Sequence, residues 1–322
     1  MALIERKMSK TFVIFCVISL CAMNAAAQPA APGSASGALD RDAQSHSSPA
    51  KEFAKKFAPL RSLLLDEGAQ FSGSQMFTDL IALVPLANSL GAQSVERTQL
   101  YAMLSLLQLK RNLPEPAARY GELALQLNAA SKALPTDELI QIHNRLRKIY
   151  QDDDDFKRAL VHAQSAVTLS SYDKTLSTAQ RLGLRESLGF IQHESGQHVL
   201  ALDTNRKTLL EAEKIFPDDA IELSTVLINI AQNLHAVKNP AAAKPYLERV
   251  LKIARKHNDV QREFEMHFQL GVLAYEDQNE PLAKRHFDDC MRVANKANND
   301  ELRDSARGYL KQLAEKKRPR AE

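Results

Sequence analysis

An alanine recurs at a nearly fixed interval over much of the chain, and this periodicity limits the possible folds more than any other feature. Each of these alanines begins a helical stretch that carries an apolar residue eight positions further on. They are Ala117, Ala159, Ala201, Ala243 and Ala283, separated by 42, 42, 42 and 40 residues. Self-similarity at such a period is typical of a chain built from repeated supersecondary units.

Each alanine lies in the second helix of a predicted helical hairpin. A first amphipathic helix precedes it, and a short polar turn joins the two, with Pro114, Pro240 or Pro281 in three of the turns. Proline is tolerated in the first turn of a helix because its missing N–H is not needed there. Antiparallel helices approach closely only where a side chain is small, and Gly189 and Gly271 offer matching small positions on first helices. One hairpin cannot bury its apolar face alone, so consecutive hairpins are expected to stack.

This pattern resembles the tetratricopeptide repeat, in which a first helix with Leu-Gly precedes a second helix with a small alanine and an aromatic residue. The last repeat carries the resemblance most fully, at Leu270, Gly271, Ala283 and Phe287. The usual unit has about 34 residues. The longer unit found here resembles the long-helix variants of kinesin light chains and bacterial regulators.

The resemblance implies an all-α fold, a right-handed superhelical solenoid of antiparallel helix pairs. It covers residues 98–299, and residues 52–91 are predicted to form a sixth, degenerate repeat whose second helix is kinked by Pro85. A final capping helix is expected at 300–316. The repeat domain is therefore predicted to span residues 51–316, with about six repeats and a cap.

Residues 1–27 have the pattern of a secretory signal peptide. A basic start, with Arg6, Lys7 and Lys10, precedes an uncharged and mostly apolar run, and Ala25 and Ala27 stand before the predicted cleavage. The run is shorter than the roughly 20 apolar residues of an ordinary membrane anchor. An uncleaved anchor is the alternative interpretation, and Met8 is an alternative start.

Export to the periplasm of a Gram-negative bacterium follows from this prediction. Residues 28–50 are rich in Ala, Pro, Gly and Ser and are predicted to form a disordered linker. Residues 317–322 are predicted to form a disordered basic tail. No stretch after the leader is long and apolar enough to cross a membrane, so no membrane insertion is expected after cleavage.

Charge and cysteine content argue against several functional classes. The net charge of +3 is too small for a strongly basic nucleic-acid binder, and no nucleic-acid partner is expected. Of three cysteines, only Cys290 follows the leader, which excludes a disulfide-dense scaffold. A buried, structural role is the more common one for such a cysteine, although a reactive role is open.

No motif of a catalytic, cofactor or metal site is recognisable. His193 and His198 stand five residues apart, whereas two histidines on one helix face that bind zinc are four apart, and Gly196 is predicted to separate them by a turn. The acidic run 152–155 lacks the glycine and glutamate of a calcium loop. It is expected to cap a helix that begins near Phe156. We therefore predict a protein that is not an enzyme and has no cofactor, with an enzyme of cryptic site as an alternative.

The candidate site is the concave groove that first helices line in tetratricopeptide arrays, where a peptide or helix of a partner usually binds. The groove positions in this sequence are those that the resemblance implies. The candidate groove residues are Asn144, Lys148, Glu186, Phe190, His193, Ile228, Gln232, His235, Phe268 and Tyr275. The apolar members have an alternative role, which is to seal contacts between repeats.

The predicted function is that of an exported, non-enzymatic scaffold that binds another protein or a peptide. The alternative within the same fold is a module that senses a ligand or peptide in an envelope signalling system. The sequence leaves the identity of the partner and the oligomeric state open.

Overall fold

The computed structural model describes residues 48–315, and this part of the chain contains helices and turns without a β-strand. The all-α prediction is therefore confirmed for a helical repeat solenoid. None of the described helices is both long enough and apolar enough to cross a lipid bilayer. The predicted signal peptide, the predicted linker up to residue 47 and the predicted basic tail lie outside the described residues. The first helix begins at Pro49, two residues before the predicted start of the repeat domain.

The chain divides after Ile149 into two compact units. The first unit contains α1 (Pro49–Leu65), α2 (Gly73–Ile81), α3 (Val84–Ser89), α4 (Val95–Lys110), α5 (Pro114–Ser131) and most of α6 (Thr136–Asp152). Helices α1, α2, α3 and α5 all pack against α4. The core of this unit consists of fully buried side chains, including Phe53, Leu80, Leu100, Leu104 and Leu146.

The second helix of the degenerate repeat is divided next to Pro85, where the sequence predicted a kink. The helix ends at Ile81 and a new one begins at Val84, with Pro85 in its first turn. A proline further inside one continuous helix would remove a backbone hydrogen bond and clash with the preceding turn. Because the helix is divided in two, Pro85 lies in the first turn of a helix, where neither penalty arises.

The second unit contains α7 (Phe156–Tyr172), α8 (Thr178–Glu194), α9 (His198–Ala212), α10 (Ser224–Ala236), α11 (Pro240–Lys256), α12 (Val260–Glu276), α13 (Glu280–Lys296) and α14 (Asp300–Glu315). Each of these helices packs against the next one in the chain. The core includes Ile191, Leu223, Leu227 and Ile230, all without solvent exposure. Helix α14 matches the predicted capping helix.

The turn inside each hairpin contains one residue in the left-handed conformation, and these residues follow the same interval as the alanines. They are Asn112, Asp154, Gly196, Lys238 and Gln278, with φ between 56° and 76°. The N–H that follows each of them donates to a carbonyl of the first helix, for example Gln197 to Gln192 at 2.8 Å. This hydrogen bond ends the first helix in a Schellman motif, so every hairpin turns in the same way.

The predicted close approach of helices at small residues is present in the structure. A Cβ atom added to Gly189 of α8 would lie 2.2 Å from Oδ1 of Asn205 on α9. A Cβ added to Gly271 of α12 would lie 2.8 Å from the ring of Phe287 on α13. Both distances are well below van der Waals contact, so an alanine at either position would require the Asn205 or Phe287 side chain to shift.

Cys290 is buried, in agreement with the structural role expected for it. Its side chain is 1% exposed, and its Sγ donates to the carbonyl of Phe264 at 3.5 Å. Burial raises the pKa of the thiol above its usual range. The thiolate, which is the reactive form, is therefore disfavoured in the folded protein.

Gly196 has a left-handed backbone conformation and Gly183 a helical one, so replacement by alanine should change the stability in opposite directions. Gly196→Ala should lower the stability by about 1 kcal/mol, because an alanine in the left-handed region is strained. Gly183→Ala, inside α8, should raise the stability by about 0.5–1 kcal/mol, because alanine is the better helix former. Both positions have open space around an added Cβ, so they form a matched pair. Thermal unfolding followed by circular dichroism measures both effects, and a change in the same direction would contradict the prediction.

Candidate functional site

The structure places the ten predicted groove residues in two separate units. Asn144 and Lys148 lie on α6 in the first unit, and the other eight lie on α8, α10 and α12 in the second. Oδ1 of Asn144 accepts a hydrogen bond from Nε of Arg147 at 2.9 Å. Lys148 is exposed. These two residues are neighbours on one helix.

The three first helices of the second unit are joined side by side through histidines. Nδ1 of His193 on α8 lies 2.9 Å from Oδ1 of Asn233 on α10. Nε2 of His235 on α10 lies 2.8 Å from Oε2 of Glu276 on α12. Contacts between residues far apart in sequence therefore link equivalent helices of successive repeats. They bring the predicted residues of three repeats to neighbouring helices.

Seven of the eight predicted residues on these three helices have side chains that are partly or fully exposed, and one of the seven, Phe268, packs against the last helix. We refer to the other six as the first-helix surface, which consists of Glu186, Phe190, His193, Gln232, His235 and Tyr275. All of these residues except His235 are partly buried, and the His235 side chain is 50% exposed. The surface combines aromatic, amide, imidazole and carboxylate groups that a bound chain can contact.

Two apolar residues predicted for the groove make contacts within the fold: Ile228 is buried, and Phe268 is partly buried against the last helix. Ile228 is 5% exposed and belongs to the core, so it offers no area to a partner. The ring of Phe268 lies 4.3 Å from that of Tyr309 on α14 and 6.0 Å from that of Phe287, centroid to centroid. Phe268 therefore seals the last repeat against the capping helix. The alternative role of sealing repeats is the correct one for Ile228. Phe268 makes such a contact and stays partly exposed, so its groove role remains a prediction.

Glu186 is a carboxylic acid in an environment that disfavours its charge. Burial of the side chain raises its pKa from about 4.5 to about 7. Among the described residues, no basic group offsets this effect. At neutral pH the Glu186 side chain is therefore close to half protonated.

His193 and His198 contact each other, contrary to the prediction that the turn at Gly196 separates them. Their rings meet edge to face with centroids 4.8 Å apart, because the left-handed turn folds the start of α9 back toward α8. Burial lowers the pKa of both imidazoles, and the Asn233 hydrogen bond partly opposes this at His193. Both rings are thus predominantly neutral at pH 7.

The acidic run before α7 has the capping role predicted for it. The helix begins at Phe156, and Oδ1 of Asp155 accepts a hydrogen bond from the backbone N–H of Arg158 at 3.0 Å. This bond and a second one from the Arg158 side chain lower the pKa of Asp155. A carboxylate at this position also interacts favourably with the positive end of the helix dipole.

Several solved structures are similar to this chain. The apo form of RapI matches with a TM-score of 0.56 and 13% identity, over 80% of this chain and 79% of RapI. A kinesin-light-chain-type protein of Podosopora anserina, with nearly identical TPR-like repeats, has a TM-score of 0.48 and 17% identity, over 65% of this chain and 97% of its own. PilF of Pseudomonas aeruginosa has a TM-score of 0.43 and 14% identity, over 77% of this chain and 94% of its own.

The repeated hairpins agree with the similarity to RapI. This chain has a tetratricopeptide-like (TPR-like) repeat fold. No protein-family model and no curated protein matches the sequence. At such low identities the similarity concerns the fold alone.

The TPR-like packing brings together a group of residues that sequence reasoning did not find. Ligand atoms of His267 on α12 and of His286 and Asp289 on α13 all lie within 4.8 Å of one another. The two histidines come from different helices, so no spacing rule within one helix identifies them. Only the i, i+3 relation of His286 and Asp289 is visible in the sequence.

The raised pKa of Glu186 predicts a pH-dependent effect of Glu186→Gln. The folded state retains the proton of Glu186 up to about pH 7, whereas the unfolded chain loses it near pH 4.5, so stability falls as the pH rises between these values. At pH 8 the substitution should therefore raise stability by about 1–3 kcal/mol, with little effect at pH 4. The same change at Glu222, an exposed residue, is the control. Melting temperatures across pH 4–8 test this, and an equal gain at both ends would contradict it.

Proposed function

We propose that this TPR-like protein binds a segment of another protein or a peptide on its first-helix surface, and that it does not catalyse a reaction. The observation that carries the proposal is the partly exposed aromatic ring of Phe190 beside polar groups on three linked helices. Aromatic residues combine a large contact area with few rotatable bonds and tend to dominate binding energies. Partly exposed apolar area surrounded by polar groups is typical of interaction sites.

The chemistry of the surface favours a partner with a basic group. Glu186 lies one helical turn before Phe190 and has no opposite charge of its own among the described residues. A lysine, an arginine or an amino terminus of the partner would stabilise the ionised carboxylate. His193 and Gln232 add hydrogen-bonding groups for the backbone of a bound chain.

A regulatory role is the second candidate, and the titration of Glu186 favours it. A carboxyl group with a pKa of about 7 changes its charge within the physiological range. Binding of a basic partner would then strengthen as the pH rises through neutrality. A module that senses a peptide and transmits its bound state would use the same surface.

Phe190→Ala tests the binding surface. The partner is first identified by affinity capture and mass spectrometry, and its affinity for the purified protein is then measured by calorimetry. Loss of a buried aromatic anchor should weaken binding by about 2 kcal/mol, which is roughly 30-fold. Val199→Ala, on the second helix α9 at a position with 74% exposure, is the control and should leave the affinity unchanged.

The melting temperature of the same variants separates this interpretation from a role of Phe190 in the core. A core phenylalanine would cost about 3–5 kcal/mol of folding stability when it is truncated. A large fall in melting temperature, or an unchanged affinity of Phe190→Ala, would remove Phe190 from the proposed binding surface.

We further propose that the protein is exported to the periplasm. The sequence supports this proposal through the basic start, the apolar run of residues 11–23 and the small residues Ala25 and Ala27. Cleavage after Ala27 should yield a chain that begins at Gln28. Intact mass spectrometry of the protein from the periplasmic fraction of a Gram-negative host measures this directly. A mass that retains the leader would instead favour an uncleaved anchor.

A further inference from the structure

Three metal-ligating side chains converge between α12 and α13 in the last hairpin of the second unit. His267 is buried, with its side chain 3% exposed, whereas His286 and Asp289 are partly buried. His267 comes from the first helix, and the other two come from one face of the second helix. The cluster therefore forms only when this hairpin is folded.

The separations between these groups match those of ligands around a small tetrahedral ion. Nδ1 of His267 lies 3.2 Å from Nδ1 of His286 and 3.6 Å from Oδ2 of Asp289. Ligands with bonds of about 2.0–2.2 Å to a tetrahedral zinc ion lie about 3.4 Å apart. The atoms of all three residues lie within 4.8 Å of one another, so small rotations of the two partly exposed side chains complete the arrangement.

Asp289 is already oriented as a metal-ligating carboxylate would be. Its Oδ1 accepts hydrogen bonds from Nη2 of Arg292 at 2.8 Å and from Nε at 3.2 Å. Its Oδ2 accepts no hydrogen bond from Arg292 and faces Nδ1 of His267. Carboxylates that bind metals are commonly held by such a second hydrogen-bonding partner, which fixes their orientation.

Arg255 determines the proton arrangement of the metal-free cluster. Its Nη2 lies 2.9 Å from Nε2 of His267, and because a guanidinium only donates, Nε2 is the acceptor. The neutral ring then carries its proton on Nδ1. A metal ion at Nδ1 requires this proton to leave to water and Nε2 to take one up. Arg255 must then turn away from Nε2, which is feasible because its side chain is 46% exposed and also bonds to Glu263 at 2.9 Å.

The surrounding charges are mixed. The basic groups near the two histidines are Arg255, Lys244, Arg285 and Arg292, and the acidic ones besides Asp289 are Glu248 and Glu263. The basic groups oppose a dication, and the acidic groups favour it.

From this geometry we propose that His267, His286 and Asp289 bind one divalent transition-metal ion of the zinc type. The ion would join α12 to α13, and a water molecule would occupy the fourth position on the partly exposed side. Nitrogen and carboxylate ligands in this number suit Zn²⁺. The proposal is independent of the first-helix surface, because none of the three residues belongs to it.

Titration of the purified full chain with Zn²⁺, without an affinity tag that binds metals, tests the proposal. Isothermal titration calorimetry should show saturable binding of one ion per chain, and Zn²⁺ should raise the melting temperature. His286→Ala and Asp289→Asn should each weaken binding by about 10- to 100-fold, a range typical for perturbed metal sites. His257→Gln, at an exposed histidine on another part of the unit, is the matched control and should bind as the unchanged protein does.

Substitution of Co²⁺ provides a second measurement on the unchanged protein, which does not depend on the folding of any variant. Tetrahedral Co²⁺ with nitrogen and oxygen ligands should give intense visible absorption that Zn²⁺ displaces. The proposal is overturned by an absence of saturable binding, by weak octahedral Co²⁺ absorption, or by equal zinc affinity in the folded variants and the unchanged protein.

Discussion

The close approach of the two helices within a hairpin is the contact on which the rest of this structure depends. Gly189 lies directly against Asn205, and Gly271 lies against the ring of Phe287, so close that a larger residue on the first helix would require these side chains to shift. In both cases the partner residue lies on the second helix of the same hairpin. A hairpin with this tight interface is thin enough to stack on its neighbours and to share an apolar core with them.

Stacking in turn determines which side chains a partner can reach. Successive first helices lie side by side, joined by His193 with Asn233 and by His235 with Glu276. The apolar face of each hairpin is used in the core, so the first-helix surface retains mainly polar groups with Phe190 and Tyr275 among them. The same hairpin packing places His267 against His286 and Asp289. The proposed binding surface and the proposed metal site thus both follow from the spacing of the helices.

The sequence predicted local features well because their causes lie within a few residues. The break at Pro85, the cap at Asp155 and the turn at Gly196 all depend on backbone conformation and on neighbouring hydrogen bonds. Predictions for single groove residues were less successful. Ile228 occupies a first-helix position of the expected kind, yet it is buried, because its burial depends on how adjacent repeats cover it. Phe268 packs against Tyr309 of the capping helix, a contact between residues distant in sequence, and remains partly exposed.

By itself, the sequence determined that the chain is a series of helical hairpins whose small alanines recur at intervals of 42 or 40 residues, because helix periodicity, small residues and turn residues are encoded locally. Only the tertiary structure decided which of the groove candidates are exposed, that the pKa of Glu186 rises to about 7, and that three ligating side chains meet between α12 and α13. The physical reason is the same in each case. Burial, desolvation and distances between helices depend on side chains that are far apart in sequence and come together only when the hairpins pack.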